Sequence, residues 1–175
     1  FEYLMPQLLM RSYPDTLLDE SCRRVVARQI EYGDANGVPW GISESAYNIV
    51  DRHDTYQYKA FGVPGLGLKR GLGNELVIAP YASALAAMVD PAAAAANLRR
   101  LSVLGMDGEY GFFDALDYSH PRRDQGADTG PVSVPTEATD ADAAVRPVGP
   151  VVVRTVMAHH AGMSLIALAN VLLDG

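Results

Sequence analysis

The sequence predicts an all-α fold built from stacked helical hairpins. Apolar residues recur at helical spacing in four segments, and a capping residue or a proline stands at the start of the first three. The link between the second and third predicted helices, at residues 90–91, is short, which places these two helices antiparallel and side by side. At 175 residues the chain has the length of one domain.

The first predicted helix contains apolar residues at helical spacing between Leu18 and Ile30. Thr16 and Asp19 mark its N-terminus, and Gly33 is expected to end it. Cys22 falls within this amphipathic helix and is expected to be a buried thiol. Because it is the chain's single cysteine, an internal disulfide is excluded.

Three further helices are predicted over residues 80–90, 91–104 and about 160–173. Pro91 fits the first turn of the third helix, where its missing N–H costs nothing, and Gly105 ends that helix. Glycine-rich loops are expected at residues 62–73 and 105–111. Residues 151–153, three consecutive valines, are compatible with a short strand.

Residues 121–150 differ from the rest because they are rich in Pro, Asp, Thr, Ala and Gly and carry almost no large apolar side chain. Such a segment cannot bury enough surface to offset its ordering entropy. We therefore predict a mobile surface insertion, with a domain linker as the alternative.

Charge, motif spacing and hydropathy argue against several functions. A net charge of −7 argues against a nucleic-acid surface, which needs cations to neutralise phosphates. The segment 62–67 lacks the spacing of a phosphate-binding loop. No apolar run has transmembrane length and no signal-peptide pattern opens the chain. Because the chain starts at Phe1 without an initiator Met, we expect a piece of a longer protein.

The segment 37–48 holds a lone carboxylate, Glu44, between two serines and close to the chain's single tryptophan, Trp40. The glycine and proline at its start indicate a loop that enters a helix near Ser43. A flat indole, an acid and short hydroxyl side chains suit a sugar ring. The alternative is that Ser43 or Ser45 merely caps the helix.

A second group of candidate sugar-binding residues follows at 51–61, where aromatic side chains alternate with hydrogen-bonding groups. Its candidates are Tyr56, Tyr58 and Lys59, with Tyr47 just upstream. The alternative is an ordinary, partly buried loop.

The pair His159 and His160 is predicted to bind substrate hydroxyls. Adjacent helical residues point about 100 degrees apart and rarely bind one ion together. Neither a metal site nor a cofactor is therefore expected.

Four carboxylates lie among aromatic or apolar residues: Glu2, Glu44, Asp114 and Asp117. Apolar surroundings favour the protonated form of an acid, which suits proton donation to a glycosidic oxygen. Glycoside chemistry needs two such groups across the bond, and their separation decides between a covalent intermediate and direct attack by water.

Five ordered segments, residues 1–6 (FEYLMP), 38–48 (VPWGISESAYN), 61–71 (FGVPGLGLKRG), 79–82 (APYA) and 157–160 (MAHH), resemble one family. They are similar to the glycoamylase-like domain of cyclic β-1,2-glucan synthases. The resemblance covers nearly the whole chain except residues 121–150. It implies that residues 1–175 form the C-terminal portion of a larger domain, an (α/α)6 toroid whose glycine-rich loops line a cleft.

The resemblance also implies an enzyme: a retaining transglycosylase that closes linear β-1,2-glucan into a ring. β-Glucan and the other domains of a longer parent chain are the implied partners, and the bacterial inner membrane is the implied location of that parent. A β-glucan hydrolase and a non-catalytic glucan-binding module are the alternatives.

Site residues follow from the matching motifs. Glu44 matches the glutamate of the family's Trp-Gly-Ile-Ser-Glu-Ser motif and is expected to be one catalytic carboxylate. Asp114 stands where the family usually has glutamate, so its side chain is one methylene shorter; it is the second candidate. Glu2 is the reserve candidate. Trp40, Tyr56 and Tyr58 are expected to line sugar subsites, with His159 and His160 bonding hydroxyls.

Overall fold

The computed structural model describes residues 2–67, 71–120 and 149–173. The predicted insertion at 121–150 lies outside these residues apart from its last two positions. After a 3-10 helix at Met5–Leu8, the first α-helix, α1, spans Leu17–Ala35. The Thr16 hydroxyl caps α1 by accepting a hydrogen bond from the Asp19 N–H. Thus the predicted first helix is confirmed.

Gly33 does not end α1, as the sequence predicted, because the helix continues to Ala35. The glycine instead permits close packing: a β-carbon at position 33 would lie 2.8 Å from the Trp40 Cβ. The absent side chain lets the loop after α1 fold back against the helix.

A hairpin follows, formed by strands β1 at Ser45–Val50 and β2 at Tyr56–Lys59. This corrects the prediction of a helix near Ser43. Strand β1 ends with the residues Tyr, Asn, Ile and Val. Aromatic and β-branched side chains, such as those of Tyr, Ile and Val, favour an extended backbone. The Asp51 carboxylate accepts hydrogen bonds from two backbone N–H groups in the turn, those of His53 and Thr55.

Strand β3 at Val77–Ile78 leads directly into α2 at Pro80–Ala86, and α3 follows at Pro91–Val103. Both helices begin with proline at the first position, as predicted for Pro91. The second helix was predicted to reach residue 90 but ends at Ala86. The Asp90 carboxylate also caps α3 by accepting a hydrogen bond from the Ala93 N–H.

The remaining elements are three short strands, a further strand after the undescribed segment, and the last helix. They are β4 at Asp107–Gly108, β5 at Gly111–Phe112, β6 at Ala115–Asp117, β7 at Val151–Val153 and α4 at Ala158–Leu172. The predicted valine strand and the fourth predicted helix are therefore confirmed.

The all-α prediction is wrong, because the described residues form three small antiparallel sheets beside the helices. Their strand orders are β1-β2, β3-β6-β7 and β4-β5. The fold is mixed α/β, so the expected helical toroid does not describe it. None of the helices in the described ranges is long and apolar enough to cross a membrane.

Two apolar clusters form the core. The first surrounds the three-stranded sheet and includes Ile78, Leu101 and Leu116. The second lies between α1, α2 and α4 and includes Cys22, Trp40 and Leu85, of which Cys22 is fully buried as predicted. Burial, with a smaller effect from Asp19, raises the pKa of the Cys22 thiol, which makes it a poor nucleophile.

Candidate functional site

Glu44 lies immediately before β1, and its side chain is half-buried. The backbone leading to it is fixed by pairing of Ile42 with Ile78 of β3. The Tyr81 hydroxyl donates to the Ser43 hydroxyl at 2.7 Å and contacts the Glu44 carbonyl at 3.2 Å. The loop that carries Glu44 is therefore attached to β3 and α2 by both backbone and side-chain contacts.

Tyr58 reaches the same region from β2, where it pairs with Ala46 across the hairpin. Its hydroxyl lies 3.3 Å from Nε2 of His159 and 3.1 Å from Nε2 of His160. It also hydrogen-bonds the Glu44 side chain. One hydroxyl group thus contacts two imidazoles and a carboxylate.

Strand pairing holds the start of β6 against the end of β7. Just beyond the paired residues, the Asp114 N–H donates a hydrogen bond to the Thr155 carbonyl at 2.9 Å. These contacts bring Asp114 close to His160 at the start of α4. The Asp114 Oδ1 is 2.6 Å from Nδ1 of His160, and its Oδ2 accepts from the Ala46 N–H at 2.7 Å. The Asp114 side chain is only 1% exposed. Both of its oxygens are therefore committed to protein partners.

The pairing with Asp114 fixes the tautomer of His160. An ionised carboxylate only accepts hydrogen bonds, so Nδ1 of the imidazole carries the proton and donates it. The other ring nitrogen, Nε2, then presents a lone pair to Tyr58. The Tyr81 ring stacks on the His160 ring at 3.8 Å between centroids and 12° between planes, which holds the imidazole in this orientation.

Two phenols in the site remain protonated at neutral pH. Burial raises the pKa of Tyr58 above its usual range, and the negative charges of Glu44 and Asp114 raise it further. Burial likewise raises the pKa of Tyr81, although its hydrogen bond to Ser43 opposes the effect. Both hydroxyls therefore serve as hydrogen-bond donors.

The arrangement around the Tyr58 hydroxyl has more acceptors than protons. The Glu44 carboxylate and the His160 Nε2 both present lone pairs to it, and Nε2 of His159 lies at a similar distance. A hydroxyl group has one proton to donate. The hydroxyl groups of a sugar, each with its own proton, match this excess of acceptors.

A cavity of about 280 Å³ adjoins this cluster. His160, Asp114 and Tyr81 form one side, and aromatic and aliphatic residues form much of the rest, including Phe112 and Leu168. An apolar wall beside a few converging polar groups is typical of a small-molecule site.

The structure does not bring every predicted site residue into this cluster. Trp40 is 6% exposed and packs in the second core, where its backbone pairs with Asn97. Glu2 is exposed in the turn before the 3-10 helix. Ser43 contributes only through its hydrogen bond with Tyr81. An indole so deeply buried offers no face to a sugar, so Trp40 is a core residue and not a stacking surface.

Tyr47 and Lys59 belong to a neighbouring group of polar residues. The Lys59 ammonium pairs with Glu75 and lies 4.6 Å from the centre of the Tyr47 ring. His120 bridges Glu75 at 3.0 Å and the fully buried Asp117 at 2.9 Å. Tyr56 is half-buried against the first core. We call the charged group Lys59, Glu75, Asp117 and His120 the His120 network.

Sequence reasoning missed Tyr81 as a site residue, although it lies in one of the five quoted segments. Its position after Pro80, at the start of a buried helix, was the available signal. The sequence placed Glu44, His159 and His160 in one sugar site, but it did not predict that the two imidazoles point to a common position. Their ligating atoms all lie within 4.8 Å of one another.

Comparison with known proteins agrees with the motifs. The family model Glycoamylase, described as "Putative glucoamylase", matches residues 1–175. The chain is also 46% identical over all 175 residues to the cyclic beta-(1,2)-glucan synthase NdvB of Rhizobium meliloti (strain 1021). It spans 5% of the length of that relative. The resemblance stated from the sequence is thereby confirmed, and the chain belongs to the Glycoamylase family.

Proposed function

We propose that this chain acts on β-glucan and that it catalyses a retaining transglycosylation that closes linear β-1,2-glucan into a ring. Membership of the Glycoamylase family supports a carbohydrate-active role, and the similarity to a cyclic beta-(1,2)-glucan synthase supports the substrate. The observation that carries the proposal is the half-buried Glu44 carboxylate beside Tyr58, His159 and His160.

Glu44 is the proposed general acid. Its contact with the Tyr58 hydroxyl holds its carboxyl group at the cluster, where it donates a proton to the leaving glycosidic oxygen. His159, His160 and Tyr58 bind sugar hydroxyls around that bond. In cyclisation, a hydroxyl of the same glucan chain replaces water as the acceptor: its oxygen bonds to the anomeric carbon and its proton returns to Glu44, so the product is a ring without a reducing end.

Asp114 is proposed as a positioning residue that acts through His160. Its two oxygens are engaged and its side chain is 1% exposed, so a substrate carbon does not reach it in this arrangement. Retention requires a second carboxylate across the bond. Glu2, the reserve candidate from the motifs, is exposed and lies outside the cluster, so it is not assigned that role.

The same proposal covers the setting of the chain. We propose that it works as part of a longer parent protein in the bacterial inner membrane, with the neighbouring domains of that parent as partners. The 5% share of the relative's length is the supporting observation for a longer parent.

Replacing Glu44 with Gln tests the proposed function. The substitution keeps size and hydrogen bonding and removes the transferable proton, so turnover of linear β-1,2-glucan is expected to fall by a factor of at least about 100. Products are separated by chromatography and assayed for reducing ends. The matched control is Glu31→Gln, which changes an exposed glutamate on α1 and should leave turnover unchanged.

Each product pattern decides between the candidate functions. Rings without new reducing ends support cyclisation, whereas new reducing ends identify a hydrolase. Glucan binding without turnover by the unsubstituted protein identifies a binding module. Full activity of the Glu44→Gln variant removes Glu44 from the mechanism.

Asp114→Ala with added azide distinguishes a positioning residue from a nucleophile. If Asp114 acts through His160, the variant loses about 100-fold or more in turnover because the imidazole loses its fixed tautomer. Azide should not restore it. A glycosyl azide of inverted configuration would show that azide replaces a missing nucleophile, and would contradict the positioning role.

A further inference from the structure

We propose that Glu44, His159 and His160 bind one divalent transition-metal ion, with zinc as the best-fitting metal. The donor atoms are two imidazole nitrogens and one carboxylate oxygen, and they all lie within 4.8 Å of one another. Two histidines and one glutamate form a known type of zinc site that leaves a fourth position open.

The geometry of the histidines supports this site. Both Nε2 atoms face the Tyr58 hydroxyl, at 3.3 Å and 3.1 Å, and the two rings lie 4.1 Å apart. Adjacent positions at the start of α4 therefore present their nitrogens to a common point. The expectation that neighbouring helical histidines diverge does not hold for these two side chains.

His160 has the second contact that metal-bound histidines usually have. Its Nδ1 donates to the Asp114 carboxylate at 2.6 Å, which leaves the Nε2 lone pair for a metal. A carboxylate behind a ligating imidazole fixes its orientation and raises its basicity. The stacked ring of Tyr81 holds the same imidazole from its face.

The balance of protons also favours a cation. When Glu44 is ionised, the single Tyr58 proton cannot satisfy both its carboxylate and the Nε2 lone pair of His160. A metal ion would accept one lone pair from each of Glu44, His159 and His160. Because zinc–ligand bonds are about 2.0–2.2 Å long, the ligands must move inward slightly and the Tyr58 hydroxyl must turn aside. His159 and Tyr58 are exposed, so both are free to move.

A bound metal would coordinate the Glu44 carboxylate, on which the proposed catalysis depends. This consequence rests on the proposed function of Glu44, whereas the metal site itself does not. Zinc is therefore expected to inhibit glucan turnover, and a chelator should reverse the inhibition.

Zinc binding is measured directly, without glucan, by titrating chelator-treated protein against a chromophoric zinc indicator. One zinc per chain is expected. His159→Ala removes an exposed ligand without disturbing the core and should abolish that binding. Asp114→Asn should weaken it by about ten- to a hundredfold, since it removes the carboxylate behind His160.

His53→Ala is the matched control, because it removes an exposed histidine from the β1–β2 turn. Unchanged zinc affinity in this variant, with loss in His159→Ala, supports the site. Equal affinity in His159→Ala and the unsubstituted protein, or no binding at about 1 mM zinc, would overturn it. Zinc binding without inhibition would keep the site and contradict only the role of Glu44.

Discussion

Gly41 is the residue on which the position of the Glu44 loop depends most directly. Its φ of +113° lies in a region that other residues rarely adopt. A β-carbon there would lie 2.9 Å from the Ser83 hydroxyl and 3.3 Å from the Ala79 carbonyl oxygen. The loop therefore packs against α2 only because this position has no side chain.

Gly41→Ala is expected to lower the free energy of unfolding by about 1–3 kcal/mol through backbone strain and crowding. Gly162→Ala is the matched control, because a β-carbon at that site within α4 meets nothing within 4 Å. Alanine there should add about 0.5–1 kcal/mol. Urea unfolding measures both, and equal stability of the two variants would contradict this account.

Residue identity did not determine where each candidate side chain lies in the fold. Glu44 and the histidine pair do lie together, but Trp40 lies in the core. A tryptophan beside glycine and proline looks the same in sequence whether its ring faces a cleft or packs on a helix. One distinguishing contact, the hydrogen bond from Asn97 to the Trp40 carbonyl, joins residues 57 positions apart in the sequence.

The sequence predicted long elements better than short ones. α1 and α3 carry several turns of apolar periodicity and clear caps, so their existence and their N-terminal ends were predictable. β3 has two residues and β6 has three. Segments this short contain no periodicity, and their strand character comes from pairing with one another.

The candidate site is assembled by these unpredictable pairings. β1–β2 pairing brings Tyr58 to Glu44, and β6–β7 pairing brings Asp114 to the helix that carries His160. No local pattern encodes either register. The motifs could therefore name candidate residues, while the contacts among these residues required the folded chain.

At the scale of the whole molecule, the His120 network makes stability depend on pH. Hydrogen bonds to Asp117 and Glu75 raise the pKa of His120 to about 9, so its imidazole is charged at neutral pH. The hydrogen bond from His120, followed by contacts with Lys59, lowers the pKa of Glu75. These charges join β2 and β6 to the segment that precedes β3 through side chains.

The free energy of unfolding is expected to fall as the pH rises through about 9. A raised folded-state pKa means that His120 contributes fully below its unfolded value of about 6.5, and its contribution disappears as the folded group deprotonates. A loss of about 1–2 kcal/mol is expected after allowance for solvent screening. Urea unfolding at pH 6 and pH 10 measures it.

His120→Gln is the control for this prediction, because it keeps a hydrogen-bonding side chain and removes the titration. Its stability should change less between the two pH values. An identical decline in both proteins would assign the pH dependence to other groups.

Glu75 makes stability depend on pH at the acidic end. Because its pKa is lowered in the folded protein, its contribution to the free energy of unfolding is lost as the pH falls below about 4.5.

The register of β6 with β7 has a consequence for how this family can diverge. Asp117 pairs with Val151, so two positions separated by more than thirty residues in the chain lie on adjacent strands. Loop-closure entropy rises only by about 0.6 kcal/mol for each doubling of loop length. Natural variants should therefore accumulate insertions and deletions between these strands, and a reporter domain grafted at that junction should leave the proposed glucan chemistry intact.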